Sequence, residues 1–503
     1  MRQLTSLDAQ FLTMETPRTV GHVSGLAVLD PSTAPGGELT SQALSALIEE
    51  RLHLVPPFRW RLASVPLGLD HPYWIEDPDF DLDFHIRETA VPPPGGDRQL
   101  AELVARICAR PLDRAHPLWE LYVIHGLRDG RVGVLTKVHH AAVDGMSGAE
   151  IMSILYDQHP EGREIPQGLV DSVGSRVPSQ VELLGRALLG LPRPLKTLAM
   201  LPATLPRLDS VPIVGALPGA LTVSRVATRI SRLGRGTKDG GVLERTNVRA
   251  PRTRFNARIS PHRRFAFASL PLDRIKAIKA AAGVTVNDAV VAICAGGLRA
   301  WLDERGELPA EPLVSMVPVS VRSREEKGTF GNRVSTMFVP IPTDEADPRR
   351  RLQRAHEILA SAKERHRALP ADLLADASQF IPPALAARAA RVTSEVLSSS
   401  RMAPLLNLVI SNVPGPREPL YCAGARLEHN YPVSVITDGV GLNITCLSYL
   451  DRVDFGIVCC REMVDDAWSI MTAIERELEL VDEVICGPRP TPAPRAADPV
   501  AGR

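Results

Sequence analysis

Aromatic side chains are scarce in this 503-residue chain, only 4% of it, too few for the stacking platforms that bind nucleic-acid bases. No charge excess exists either. Lys and Arg number 58, Asp and Glu also 58, whereas a nucleic-acid partner demands a basic surplus. Nowhere do eighteen or more apolar residues run unbroken, so no membrane-spanning helix is predicted. The opening Met1-Arg2-Gln3-Leu4-Thr5-Ser6 lacks the long apolar core of a signal peptide. The seven cysteines are odd in number and form no CxxC pair, which signals neither a zinc ribbon nor a disulfide framework. In apolar runs they read as small hydrophobes, and a reducing, cytosolic compartment fits them best.

What is present is a soluble globular composition, 44% hydrophobic and 23% charged, with a length that suggests two domains. Strand-like and helical periodicities alternate along both halves, so the chain reads as α/β. Strands are predicted at 22–29, 119–125, 131–138, 265–272, 313–319, 332–341, 405–411, 442–450 and 453–459. Helices are predicted at 41–54, 98–110, 147–156, 273–282, 285–302, 347–369, 382–398 and 465–484. Four divisions follow: an N-terminal domain over 1–180, a connecting segment over 181–250, a C-terminal domain over 251–486 and a Pro/Ala-rich tail over 487–503.

The connecting segment is rich in Leu, Ala and Pro, and Asp209 is its sole acid between Arg186 and Lys238. Its prolines forbid one long helix. It reads either as a crossover linker with solvated arginines or as a basic apolar surface resting on an anionic membrane or a lipid droplet.

The predicted strand 131–138 runs into His139-His140-Ala141-Ala142-Val143-Asp144-Gly145. A strand that ends in two histidines, bends, and opens a helix with Asp-Gly suits acyl transfer from a thioester to an alcohol. That reaction needs a base to take the hydroxyl proton as oxygen attacks the carbonyl. An imidazole titrates near working pH and can then protonate the departing thiolate. His140 is the candidate base. Asp144 is a structural candidate, fixing the bend through an arginine or backbone amides; Arg59, Arg61 and Arg322 are the arginines considered. Gly145 lets the backbone turn. His139 reads more simply as a satisfied core histidine. Adjacent histidines on a strand point to opposite faces, which argues against a shared metal.

HHxxxDG is the hallmark of the chloramphenicol-acetyltransferase-like superfamily. Within it the chain resembles the bacterial wax ester synthase/acyl-CoA:diacylglycerol acyltransferases, from Leu7 to about Ile485. The resemblance is carried by Ser6-Leu7-Asp8-Ala9-Gln10-Phe11-Leu12 with Glu15, Pro17 and His22-Val23. Pro117-Leu118-Trp119-Glu120, Asn287-Asp288 and Ser411-Asn412-Val413-Pro414-Gly415-Pro416 extend it. Tyr431-Pro432-Val433-Ser434, Asp438-Gly439 and Leu442-Asn443-Ile444-Thr445 complete it. Only Asp454-Phe455-Gly456 echoes the longer Asp-Phe-Gly-Trp-Gly block of plant relatives.

The resemblance implies two similar α/β domains with a tunnel at their interface, where acyl-CoA and a lipid alcohol meet at His140. It implies transfer of a long-chain fatty acyl group from acyl-CoA to diacylglycerol, and also to long-chain alcohols. Acyl-CoA enters as co-substrate, with no cofactor and no metal. The expected location is the cytoplasm, peripheral to the inner membrane or a lipid droplet. Gly145, Trp119, Asn287, Ser411 and Asn412 are the candidate substrate-contacting residues.

Plainer readings stand beside these. Trp119 packs or lines an acyl tunnel. Thr285 and Asp288 have the spacing of a helix capping box. Ser411-Asn412 starts a turn or binds the oxyanion. The alternative functions are a carrier-dependent condensation-type acyltransferase and a non-catalytic lipid-binding protein of a membrane or droplet surface.

Overall fold

The computed structural model describes residues 1–143, 152, 155–165, 177–190, 250–320, 334–367 and 403–488. Most of the connecting segment, the helices expected at 147–156 and 382–398, Arg322, Asp144 and Gly145 lie wholly or largely outside these residues.

Two six-stranded sheets form the centre of the molecule. In the first, the order is Tyr421–Cys422, Ala425–Val433, His22–Asp30, Val132–His139, Trp119–His125 and Ile86–Ala90. Its last pair is parallel and the other pairs are antiparallel. Asp97–Cys108 is the helix of the parallel connection, and it turns Leu100, Val104 and Ile107 inward. Val132–His139 is buried at nearly every position, as a central strand covered on both faces is. Its one lysine, Lys137, sits opposite Glu120 in the ladder and meets it at 3.1 Å, so the buried charge is paired.

In the second sheet the order is Val334–Ile341, Leu313–Ser320, Leu408–Val413, Leu442–Tyr449, Arg452–Cys460 and Arg263–Pro271. Leu408–Val413 runs parallel to both of its neighbours. Helices Leu272–Ala282, Val286–Asp303, Pro348–Arg367 and Ala467–Cys486 pack with this sheet around one core. Val286–Asp303 starts as its sequence predicts. Asp288 N–H donates to Thr285 Oγ1 at 3.2 Å, and Asp288 Oδ2 accepts from Thr285 N–H at 2.9 Å. His356 meets the same carboxylate at 2.7 Å, so Asp288 serves the helix start.

One segment joins the two sheets. Ala425–Val433 comes from the C-terminal half yet pairs with His22–Asp30 of the first sheet. It also packs on the second, where Asn430 N–H donates to Asp454 Oδ2 at 2.7 Å. A Cβ at Gly456 would overlap the Pro432 carbonyl oxygen, so only glycine permits this approach. Asp454 and Gly456 therefore have a plain structural purpose: one pins the crossing strand and the other makes room for it. A third, small sheet of Arg2–Gln3, Tyr73–Glu76 and Trp60–Ala63 lies near the histidine turn.

Candidate active site

Strand Val132–His139 delivers His140 into a single 3-10 turn, His140–Val143. The turn is held by its backbone: His140 N–H donates to the Gly21 carbonyl at 2.9 Å, and Ala141 is fully buried. The His140 ring is part-buried and stacks on Phe11, with centroids 4.2 Å apart and planes 5° from parallel. Burial, and then the neighbouring His139, lower its pKa to about 4. At neutral pH the imidazole is therefore an uncharged base.

His139 points the other way and is 1% exposed. Its Nδ1 accepts the Ala141 N–H at 3.0 Å, which leaves the ring proton on Nε2, facing Glu15 Oε1 at 3.2 Å. A Cβ on Gly21 would lie 2.6 Å from that Nε2, so the neighbouring strand start has to be glycine for His139 to fit. Glu15 closes the network. Its Oε1 accepts the Gly21 N–H at 2.8 Å and its Oε2 accepts from Arg114 at 2.6 Å. Burial would raise the Glu15 carboxyl, but hydrogen bonding from His139, then from Arg114 and Gly21, brings it down to about 2. The carboxylate grips both strands that frame the turn, and His139 transmits that grip to Ala141.

Glu15 and Phe11 are thus the neighbours of the motif that its own spacing does not reveal. Both fall in the opening block, and Phe11 lies on helix Ser6–Met14 with Glu15 at its C-terminal cap. No periodicity connects them with residues 139 and 140, which lie far along the chain.

The other candidates are distributed as follows. Trp119 is 1% exposed, stacks between Phe58 at 4.6 Å and His85 at 4.3 Å, and donates from Nε1 to the Phe58 carbonyl at 2.8 Å. It packs beneath the first sheet. Asn287 and Asn412 come together across the second half: Asn412 Nδ2 donates to Asn287 Oδ1 at 3.4 Å. Ser411 precedes Asn412 on the same strand, and its carbonyl accepts from Cys446 Sγ at 3.3 Å. Asp438 accepts the Ile259 N–H at 2.9 Å and Gly439 N–H donates to Ala257, as turn residues do. Arg59 pairs with Glu76, and Arg61 meets Asp77 at 3.3 Å. Among the described residues, no three His, Cys, Asp or Glu side chains converge as a metal site would require.

Residues 4–290 match the wax ester synthase/diacylglycerol acyltransferase catalytic domain, and residues 330–482 match the WS/DGAT C-terminal domain. The chain belongs to this family. It is 35% identical over 481 residues to a probable diacylglycerol O-acyltransferase of Mycobacterium tuberculosis, covering 95% of this chain and 98% of that one. The solved wax ester synthase/diacylglycerol acyltransferase of Marinobacter aquaeolei VT8 superposes with a TM-score of 0.67 at 29% identity, covering 97% of this chain and all of that one. The first condensation domain of the calcium-dependent antibiotic synthetase shares the fold, with a TM-score of 0.54 at 15% identity over 97% of this chain and 98% of that one. The fold expected from the sequence, two chloramphenicol-acetyltransferase-like α/β domains, is the one observed, and the protein is an acyltransferase.

Proposed function

We propose that the protein transfers a long-chain fatty acyl group from acyl-CoA to diacylglycerol, and also to long-chain alcohols, with His140 as general base. The observation that carries this reading is the uncharged, part-buried His140 imidazole on a backbone fixed to Gly21, within a chain that matches diacylglycerol acyltransferases over nearly its whole length. The alcohol oxygen attacks the thioester carbonyl while His140 takes its proton. The tetrahedral adduct then breaks its C–S bond and the thiolate takes that proton back, leaving ester, free thiol and neutral imidazole. Asn287 is proposed to stabilise the oxyanion, because accepting from Asn412 leaves its own amide N–H groups to donate. Asp144 keeps its proposed role in holding the bend.

Thin-layer separation of the products from labelled palmitoyl-CoA with diolein or hexadecanol tests the reading. Labelled triacylglycerol, with or without wax ester, is expected. Transfer only from a carrier-bound acyl group would favour the condensation-type alternative, and no transfer with any donor would favour a lipid-binding protein. Since both lipid substrates partition out of water, the enzyme is proposed to work in the cytoplasm, peripheral to the inner membrane or a lipid droplet. Flotation with anionic liposomes is expected, and deletion of Pro192–Arg235 should abolish it; flotation that survives the deletion would refute that segment as the anchor.

A further inference from the structure

Helix Pro348–Arg367 turns Leu352, Ala355, Leu359 and Ala362 inward, all of them buried, at the three-and-four spacing of a helix with one core-facing stripe. His356 follows Ala355 and falls at the margin of that stripe, with 34% of its side chain exposed. From there its Nδ1 reaches the carboxylate of Asp288 at 2.7 Å, on a side chain that is 2% exposed. An ionised carboxylate only accepts, so the Nδ1–H is the donor.

The helix that presents His356 is itself held in place. Arg351 pairs with the buried Glu477 of helix Ala467–Cys486, and Arg354 meets Asp344 at 2.7 Å. Arg299 of helix Val286–Asp303 donates to the Thr343 carbonyl at 2.9 Å, just ahead of the start of Pro348–Arg367.

Asp288 is bound by more than a helix start needs. A capping box asks for one bond each way between Thr285 and Asp288, and both are made. Thr285 is exposed, where water competes for those bonds, whereas the Asp288 carboxylate is buried and needs a partner of its own. Among the described residues, His356 is the basic side chain that meets it, and Asp288 Oδ1 has no hydrogen-bond partner.

The neighbour of Asp288 in that first turn is Asn287. Its Oδ1 accepts from Asn412 Nδ2 at 3.4 Å, a long bond that holds the amide only loosely. The backbone of the turn, and with it the direction of the amide, is set by Asp288, and Asp288 is set by His356. An uncompensated carboxylate one residue from an oxyanion donor would also repel the charge that the donor is there to receive. The imidazole N–H offsets part of that charge.

We propose that His356 is a positioning residue for the reaction: by holding Asp288 it fixes the first turn of helix Val286–Asp303 and aims the Asn287 amide at the oxyanion. The proposal rests on Asn287 being the oxyanion donor. It extends the support of the active site to helix Pro348–Arg367, which lies outside every block that carries the family resemblance.

A double-mutant cycle on kcat tests this, with palmitoyl-CoA and diolein or hexadecanol as substrates. His356→Ala is expected to lower kcat about tenfold while KM for palmitoyl-CoA changes little. Asn287→Ala should lower kcat about 100-fold, as loss of an oxyanion donor does. In that background His356→Ala should cost less than about twofold more, because no amide is left to aim. His356→Asn keeps an N–H donor and should recover part of the rate. Thermal melts accompany every variant; if His356→Ala is unfolded, His356→Gln, which fills the site but sets its donor at another reach, replaces it in the cycle. An equal loss in both backgrounds would overturn the proposal, since His356 would then act through the fold at large. So would an unchanged kcat in His356→Ala, or a raised KM with kcat intact. Wild-type kcat in Asn287→Ala is a different pattern: it would sink the oxyanion reading, and the role of His356 with it.

Discussion

A histidine buried against an aromatic ring gives up its proton early, and His140 illustrates the consequence for a base. Its pKa near 4 lies below the ordinary histidine value, so it is neutral through the whole range in which acyl-CoA is handled. The sign follows directly: protonation disables the base, so activity falls only as pH drops toward 4. The acid limb of kcat/KM is expected between about pH 4 and 5; a half-loss near 6.5 would mean that the ring keeps ordinary solvation when substrate is absent. Glu15 acts one step removed, through His139 and Gly21. Glu15→Gln, which keeps an acceptor but loses the charge, is expected to lower kcat about tenfold while KM for acyl-CoA changes little. A rise in KM with kcat intact would show that Glu15 binds substrate rather than positioning the turn. Of these residues, His140 was legible from sequence because its motif is contiguous. Phe11 and Glu15 were legible only as part of a resembling block, because stacking and ion pairing between residues so far apart leave no local spacing.

At the scale of elements, and among the described residues, the strands and helices that alternate in clear periods appear within a few residues of where the sequence predicts them. Val286–Asp303 is the firmest case, since its capping box is written in Thr285 and Asp288 and forms as written. Ala425–Val433 was not legible. It carries Glu428, His429 and Asn430 in its middle and a proline at 432, a pattern that argues against a strand. It nonetheless forms one because Pro432 lies beyond the short pairing with Tyr421–Cys422, on a stretch with no second neighbour to demand its missing N–H. The crossing is secured from the other sheet by Asp454 and Gly456. Asp454→Ala leaves the Asn430 N–H without its acceptor and should cost about 1–3 kcal/mol. Gly456→Ala forces a Cβ onto the Pro432 carbonyl and should cost about as much or more. Denaturant midpoints of the two variants check this, and midpoints equal to wild type would mean that the strand is held by other contacts.

For the whole molecule, the crossing strand means that the half bearing His140 is completed by the half bearing Asn287 and Asn412. The two family domains matched in sequence are therefore not independent bodies, since a strand of the second completes the sheet of the first. The histidine motif pointed to the reaction. The strand exchange between the halves was out of reach because pairing partners more than a hundred residues apart carry no shared period. The whole arrangement turns on the proposal that His140 moves the proton in acyl transfer. Thiol release from palmitoyl-CoA, followed with and without diolein for wild type and His140→Ala, tests it. Release that depends on diolein and falls about 100-fold or more in the variant is the predicted result; diolein-dependent release that persists at the wild-type rate in His140→Ala would contradict it.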